Sequence, residues 1–259
     1  MPIAEVNDQR LFYTDSGGPG TAIVFTHGFL MDGEMFAPQV EEFGDEYRVI
    51  TWDCRGFGRT EASDDPFTVW DQARDLIGLM EQLGVDSAVL AGMSHGGYIS
   101  MRVPLLEPGR ARALILLDTS ASGLTEQEKV GYRGMFDQWI DSGPTEELAG
   151  PLADLIIGDP ALHRKWIDKW RSWPKERLRQ PALATVEVED IRCRLKDIHC
   201  PALVVHGEDD RSFPVALAEQ IVEHLPGAGS VSLVPGGHAA SLTHAHDVND
   251  RIRAFLAAL

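Results

Sequence analysis

Five stretches of this chain are apolar and β-prone at nearly every position: residues 21–26, 48–52, 88–91, 113–118 and 201–207. A strand with one wet face alternates polar and apolar residues. A strand that does not alternate is buried on both faces, which happens where helices cover both sides of a parallel sheet. The segments between these runs supply such helices. Residues 67–83 place Val69, Ala73, Leu76, Ile77, Met80 and Leu83 at helical spacing and stop at Gly84, and 98–106, 215–225 and 247–259 are compatible with helices. Residues 3–16 alternate, with Leu11 and Tyr13 against Phe12 and Thr14, as edge strands do, and 230–234 adds a last strand. The expected fold is α/β: a mostly parallel twisted sheet of about eight strands flanked by helices.

The rhythm changes after residue 120. Residues 125–191 lack a buried-strand run, carry many charges and hold Trp139, Trp166, Trp170 and Trp173, four of the chain's 6 tryptophans. They read as a helical insertion broken at Gly143-Pro144, Gly150-Pro151 and Asp159-Pro160. The expected organisation is a core of residues 1–120 and 192–259, with 121–191 as a helical cap after the sixth strand. Such a cap belongs over the C-terminal strand ends, where open α/β sheets bind ligands.

The run 88–91 ends in Gly92-Met93-Ser94-His95-Gly96 and leads into a helix. This strand–turn–helix setting presents a serine hydroxyl above a sheet, on a turn tight enough to need glycine on both sides. A serine nucleophile needs a base, an acid to orient the base, and donors for the developing oxyanion. Two downstream segments qualify. Gly207-Glu208-Asp209-Asp210 follows a strand and offers a carboxylate, and Gly236-Gly237-His238 offers a histidine on a loop with room to move.

Taken together, His27-Gly28, Asp53-x-Arg55-Gly56-x-Gly58, Gly92-x-Ser94-x-Gly96, Gly207-x-x-Asp210-x-x-x-Pro214 and Gly237-His238 resemble the α/β-hydrolase fold superfamily over nearly the whole chain. The branch most similar is the capped, serine-nucleophile one, and within it the 3-oxoadipate enol-lactonase and small carboxylesterase group. The resemblance implies Ser94 as nucleophile, His238 as general base and then acid, and Asp210 as the orienting carboxylate, with Asp118 as its rival. It also implies an oxyanion hole made by the backbone N–H groups of Phe29 and His95. His27 is expected to fix its loop by hydrogen bonding, and His95 to pack or line one wall. Phe29, Leu30, Met31, Phe36, Met93, Phe136, Trp139, Trp166 and Trp170 are the candidates for an apolar pocket. The expected activity is hydrolysis of a small-molecule carboxylic ester or lactone. Cofactor-free perhydrolysis, cyanohydrin cleavage, and a ligand-sensing receptor that retains the same residues stay open as alternatives.

A formal net charge of −17 argues against a nucleic-acid partner or an anionic membrane surface. It also repels a strongly acidic substrate unless a local cation offsets the field. No cofactor or metal is expected: Gly56-Phe57-Gly58 lacks the third glycine of a dinucleotide loop because Glu61 stands there, and His244-Ala245-His246-Asp247 is an incomplete metal pattern. Three cysteines without C-x-x-C spacing suggest reduced thiols, with a Cys193–Cys200 bridge left open. The N-terminal residues show no secretory pattern, and no apolar run approaches the roughly 20 residues of a membrane span, so the expected location is cytoplasmic. Oligomeric state, including a homodimer, is open.

Overall fold

The computed structural model describes residues 2–62 and 64–259. Among them β1 (Ile3–Val6), β2 (Gln9–Asp15), β3 (Ala22–Thr26), β4 (Arg48–Trp52), β5 (Ala88–Met93), β6 (Ala111–Leu117), β7 (Ala202–Gly207) and β8 (Ala228–Val234) form one sheet in the order β1-β2-β4-β3-β5-β6-β7-β8. β1 with β2 and β2 with β4 are antiparallel, and every later pairing is parallel. The helices are α1 (Ala37–Phe43), α2 (Val69–Gln82), α3 (His95–Leu106), α4 (Glu126–Ser142), α5 (Glu146–Ile156), α6 (Pro160–Ser172), α7 (Arg179–Val186), α8 (Val215–His224), α9 (Ala240–Thr243) and α10 (Ala245–Leu256). The mostly parallel, helix-flanked sheet expected from the unbroken apolar runs is the one observed.

All five residues of β3 and all six of β5 are buried, consistent with strands that carry no polar face. Burying one such Val, Leu, Ile or Phe side chain stabilises the fold by about 1.5–3 kcal/mol, so the central strands are the anchor of the sheet. The chain passes from β3 to β4 on one side and then crosses to β5 on the other. The C-terminal ends of β3 and β5 therefore flank a topological switch point, where such sheets open a crevice.

Local sequence sets several helix ends. Thr68 and Asp71 form a reciprocal capping box at the start of α2, and Thr125 and Glu128 form another at α4. Asp159 caps α6, with Pro160 at its first position. Two expected breaks occur, at Gly143 and at Asp159-Pro160, but Gly150-Pro151 lies inside α5. A proline forfeits one backbone donor, and here the buried face of Ala149, Leu152 and Ala153 carries the helix through it. The helix after Ser94 starts directly at His95, and glycine at 96 and 97 lets it sit close: a Cβ would strike the Thr26 carbonyl at 96 and the Thr119 side chain at 97.

Cys54, Cys193 and Cys200 are free thiols. Among the described residues no helix is long and apolar enough to cross a membrane.

Candidate active site

Ser94 stands between the end of β5 and the start of α3 with φ 51° and ψ −114°, a backbone conformation that ordinary residues avoid. The turn survives because a Cβ at position 92 would collide with the Gly96 carbonyl, and one at 96 with the carbonyl of Thr26 on β3. The Thr119 hydroxyl donates to the Ser94 carbonyl at 2.7 Å, and the Ser94 N–H donates to the Leu117 carbonyl at 2.9 Å. The strained residue is thus held from both sides.

Ser94 Oγ lies 2.9 Å from His238 Nε2, and His238 Nδ1 lies 2.8 Å from Asp210 Oδ2. A carboxylate only accepts, so Nδ1 carries the imidazole proton and Nε2 presents its lone pair to the serine hydroxyl. The Asp210 carboxylate is fixed in turn: its Oδ1 accepts from the backbone N–H groups of Ser212 (2.8 Å) and Phe213 (2.9 Å). The Phe213 ring meets the His238 ring edge-on, with centroids 5.0 Å apart. Residues 144 positions apart in sequence thereby form one hydrogen-bonded chain.

Asp118, the alternative acid, serves a different contact. It occupies a positive-φ turn at the end of β6, and its carboxyl accepts from the Gly207 N–H at 2.7 Å. Complete burial pushes its pKa well above the ordinary carboxylate value, which favours the neutral acid. Asp118 ties β6 to β7, and His238 hydrogen-bonds to Asp210 instead.

The loop after β3 supplies the second wall. His27 Nε2 accepts from the Cys54 N–H at 2.9 Å and its Nδ1–H donates to the Gly28 carbonyl at 2.7 Å, so the ring staples this loop to the loop after β4. Burial lowers the His27 pKa and keeps the ring neutral. The Met31 N–H closes a turn onto the Gly28 carbonyl, with Leu30 at φ 62°. The left-handed residue of the turn is Leu30, whereas Gly28 leaves room for the Met93 thioether, which a Cβ there would displace. The N–H groups of Phe29 and His95 enter none of the hydrogen bonds found among the described residues, and they remain available as donors. Further out, Asp53 accepts from the Gly33 and Arg59 amides, and Arg55 grips Asp75 of α2 bidentately at 2.6 Å. The Asp53-x-Arg55-Gly56-x-Gly58 motif is therefore scaffolding for this loop.

Above Ser94 lies a cavity of about 340 Å³ lined mainly by apolar side chains. Phe29, Leu30 and Met93 line it with Ser94, His95 and His238, and Phe213 closes one side. Its roof is α4, through Glu128, Gly131, Tyr132, Met135 and Phe136, joined by Leu152, Leu155 and Ile156 of α5. Phe136 packs on Phe29 with ring centroids 5.1 Å apart and stacks with Tyr132.

Trp139, Trp166 and Trp170 do not line this cavity. All three are fully buried in the hydrophobic core, where Trp139 and Trp170 meet edge-on and the Trp170 indole N–H donates to the Leu30 carbonyl at 2.6 Å. Met31 and Phe36 likewise belong to the core. Large rings at helix–helix contacts hold the block together, and the cavity takes the face of α4 left over. The stripe 128/131/132/135/136 has the i, i+3, i+4, i+7, i+8 spacing of one helix face, a signal obscured in the sequence by its glycine and glutamate.

His95 lines the cavity as a neutral acceptor. Its Nε2 meets the Gln72 Oε1 at 2.8 Å, which puts the proton on Nε2 and leaves Nδ1 an acceptor, 3.4 Å from the Thr185 hydroxyl. Burial drives its pKa down to about 3, so it has no proton-accepting role at ordinary pH.

Residues 21–245 match the family described as alpha/beta hydrolase fold. The human serine hydrolase BPHL is 27% identical over 97% of this chain and 84% of its own. A thermophilic esterase from Thermogutta terrifontis superposes with a TM-score of 0.90 at 28% identity, covering 98% of this chain and 97% of its own. The enol-lactonase from Burkholderia xenovorans LB400 superposes with a TM-score of 0.90 over 99% of this chain and 100% of its own; at 24% identity it speaks to the fold.

Proposed function

The chain belongs to the alpha/beta hydrolase fold family, and from that premise we propose that it is a serine hydrolase cleaving a small carboxylic ester or lactone through an acyl-enzyme. Residues 121–191 act as a cap over the core of 1–120 and 192–259. The observation that carries the reading is the Ser94–His238–Asp210 hydrogen-bonded chain, at 2.9 and 2.8 Å, opening into an apolar cavity.

Ser94 Oγ attacks the carbonyl carbon as His238 Nε2 takes its proton. Asp210, held by two backbone amides, keeps the imidazole in the Nδ1–H tautomer and stabilises the imidazolium that forms. The carbonyl oxygen gathers negative charge between the Phe29 and His95 amides, where losing one donor typically costs about 10²–10³ in rate. His238 then returns the proton to the departing alkoxide and activates a water to release the acid. Ester and lactone leaving groups suit this sequence better than amides because they depart more easily. The esterase and serine hydrolase among the similar proteins support the same reaction class.

The test is turnover of p-nitrophenyl acetate and butyrate, with phenylmethylsulfonyl fluoride labelling read by peptide mass spectrometry, on wild type and Ser94→Ala. Wild type is expected to turn over both esters and to carry one adduct on the Ser94 peptide, both lost in the variant. An unlabelled, inactive wild type overturns the proposal.

A further inference from the structure

Resting on the serine-hydrolase reading, we infer that this site selects its substrate by charge: it takes uncharged apolar esters or lactones, rejects those with a carboxylate on the portion seated under α4, and uses Glu128 to enforce the rejection.

The inference comes from what the cavity contains. Beyond Ser94 and His238, its polar lining consists of His95, Tyr98, Tyr132, Thr185, Ser212 and Glu128. Among the described residues no lysine or arginine lines the cavity, and the side chain there with a formal charge is that of Glu128 on the exposed edge of α4, whose Oε2 accepts from the Thr125 N–H and hydroxyl at 2.7 Å. His95 donates from Nε2 to Gln72 and has an unprotonated Nδ1 beside the Thr185 hydroxyl, so it offers no positive charge. Tyr98 and Tyr132 are neutral phenols, their ionisation pushed upward first by burial and also by neighbouring carboxylates, Glu128 being one for both.

The cations that approach from other elements are engaged elsewhere. Arg177 donates to the carbonyls of Gly56 and Phe57 and to that of Thr60. Lys169 is bound to Asp32 at 2.5 Å and to Glu34 at 2.9 Å. Arg211 pairs with Asp154 at 2.7 Å, and Arg102 donates to the carbonyls of Tyr98 and Glu189 behind the Tyr98 ring. None of these side chains lines the cavity.

A substrate carboxylate entering here would lose its water, find no counter-ion, and approach Glu128. An unpaired charge in a low-dielectric site is the costliest group to bury. The net charge of −17 adds repulsion before the substrate arrives. An alkyl group of the same length meets Phe136, Met135, Leu152 and Ile156 and gains from leaving water. A cationic group of similar size keeps its solvation cost but is attracted to Glu128, so it should fall between the two.

The experiment uses three p-nitrophenyl esters with acyl chains of matched length ending in methyl, carboxylate or trimethylammonium. Their kcat/KM values are measured at low ionic strength on wild type and Glu128→Gln, a change that keeps a capping-box side chain at the start of α4. In wild type the carboxylate ester is expected to be on the order of 10²-fold poorer than the methyl ester, with the trimethylammonium ester between them. In Glu128→Gln the ratio of carboxylate-ester to methyl-ester kcat/KM, both measured on the variant, should rise about 3–10-fold over its wild-type value. Carboxylate and methyl esters within threefold of each other in wild type overturn the inference and leave the hydrolase reading standing. Rejection that is unchanged in Glu128→Gln supports the charge selection but overturns the role given to Glu128. If no ester turns over and Ser94 takes no sulfonyl label, the hydrolase reading falls and this inference falls with it.

Discussion

Beneath the cavity, Ser94, His238, Asp210 and His27 are each pinned by directional hydrogen bonds, and the backbone passes through positive φ at Ser94, Leu30 and Asp118. Above it, Tyr132, Met135 and Phe136 face the same space held by ring contacts and apolar packing. The contrast has a chemical logic. Moving a proton or stabilising an oxyanion needs atoms placed to a fraction of an ångström, which fixed donors on strand ends provide. Taking up an apolar group needs area and shape, which non-directional packing on a helix face supplies and tolerates when varied. Floor and roof touch through Phe29 and Phe136, and α6 adds polar ties to the loop after β3: the Trp170 indole on the Leu30 carbonyl, and Lys169 on Asp32 and Glu34.

The largest expected effect tests whether the floor is one unit. Asp210→Asn should lower kcat by roughly 10³–10⁴, the size seen when a triad acid loses its charge, whereas Asp118→Asn should stay within about tenfold. Burst and steady-state release of p-nitrophenol measures both; equal losses would mean that Asp118 shares the role.

Trp170→Phe probes the join between the two regions. It keeps the ring and removes the N–H, leaving the buried Leu30 carbonyl without that donor, and should cost about 1–3 kcal/mol of stability. Urea unfolding reads it, and an unchanged midpoint would show that roof and floor are held together by other contacts.

The floor also has a pH signature. Burial lowers the pKa of His27, of His95 (to about 3) and of His206, which lies in β7 with its Nε2 3.4 Å from Asp210, so the native state refuses protons that the unfolded chain binds. Stability should be fully present above about pH 6.5, the unfolded value, and decline as pH falls from there toward 3. His95→Gln should flatten that slope by up to about 1.4 kcal/mol per pH unit. A slope identical to wild type in urea titrations between pH 6.5 and 4.5 would place the acid sensitivity elsewhere.

The smallest effect belongs to the roof. Phe136→Ala should raise KM for an apolar ester about tenfold, with kcat within about threefold. A fall in kcat that matches the fall in kcat/KM would mean that Phe136 acts on the transition state through Phe29 and that the roof is part of the catalytic geometry.

Much of the fold was legible because its demands are local. A strand buried on both faces must be apolar throughout, and β3 and β5 are. A turn that thrusts a side chain above the sheet against a neighbouring strand must have glycine at 92 and 96. A carboxylate or histidine offered from a strand end must follow that strand, as Asp210 and His238 do. Other features depend on surfaces meeting. Trp139, Trp166 and Trp170 could as well have faced a ligand as one another, and the glycine and glutamate in the α4 stripe look like a solvated face until α5 and the strand ends close around it. Gly150-Pro151 reads as a helix end and becomes helix interior because the buried side of α5 outweighs one lost hydrogen bond.

The sequence by itself thus determined which segments are strands, which turns carry the polar residues, and their order, since backbone sterics and strand burial act within a few residues. Only the tertiary structure decided that His238 and Asp210 converge on Ser94, that Asp118 turns to Gly207 instead, and that α4 roofs the cavity while the tryptophans fill the core. Those outcomes rest on contacts between residues far apart in the chain, whose distances are set by how whole helices and strands pack.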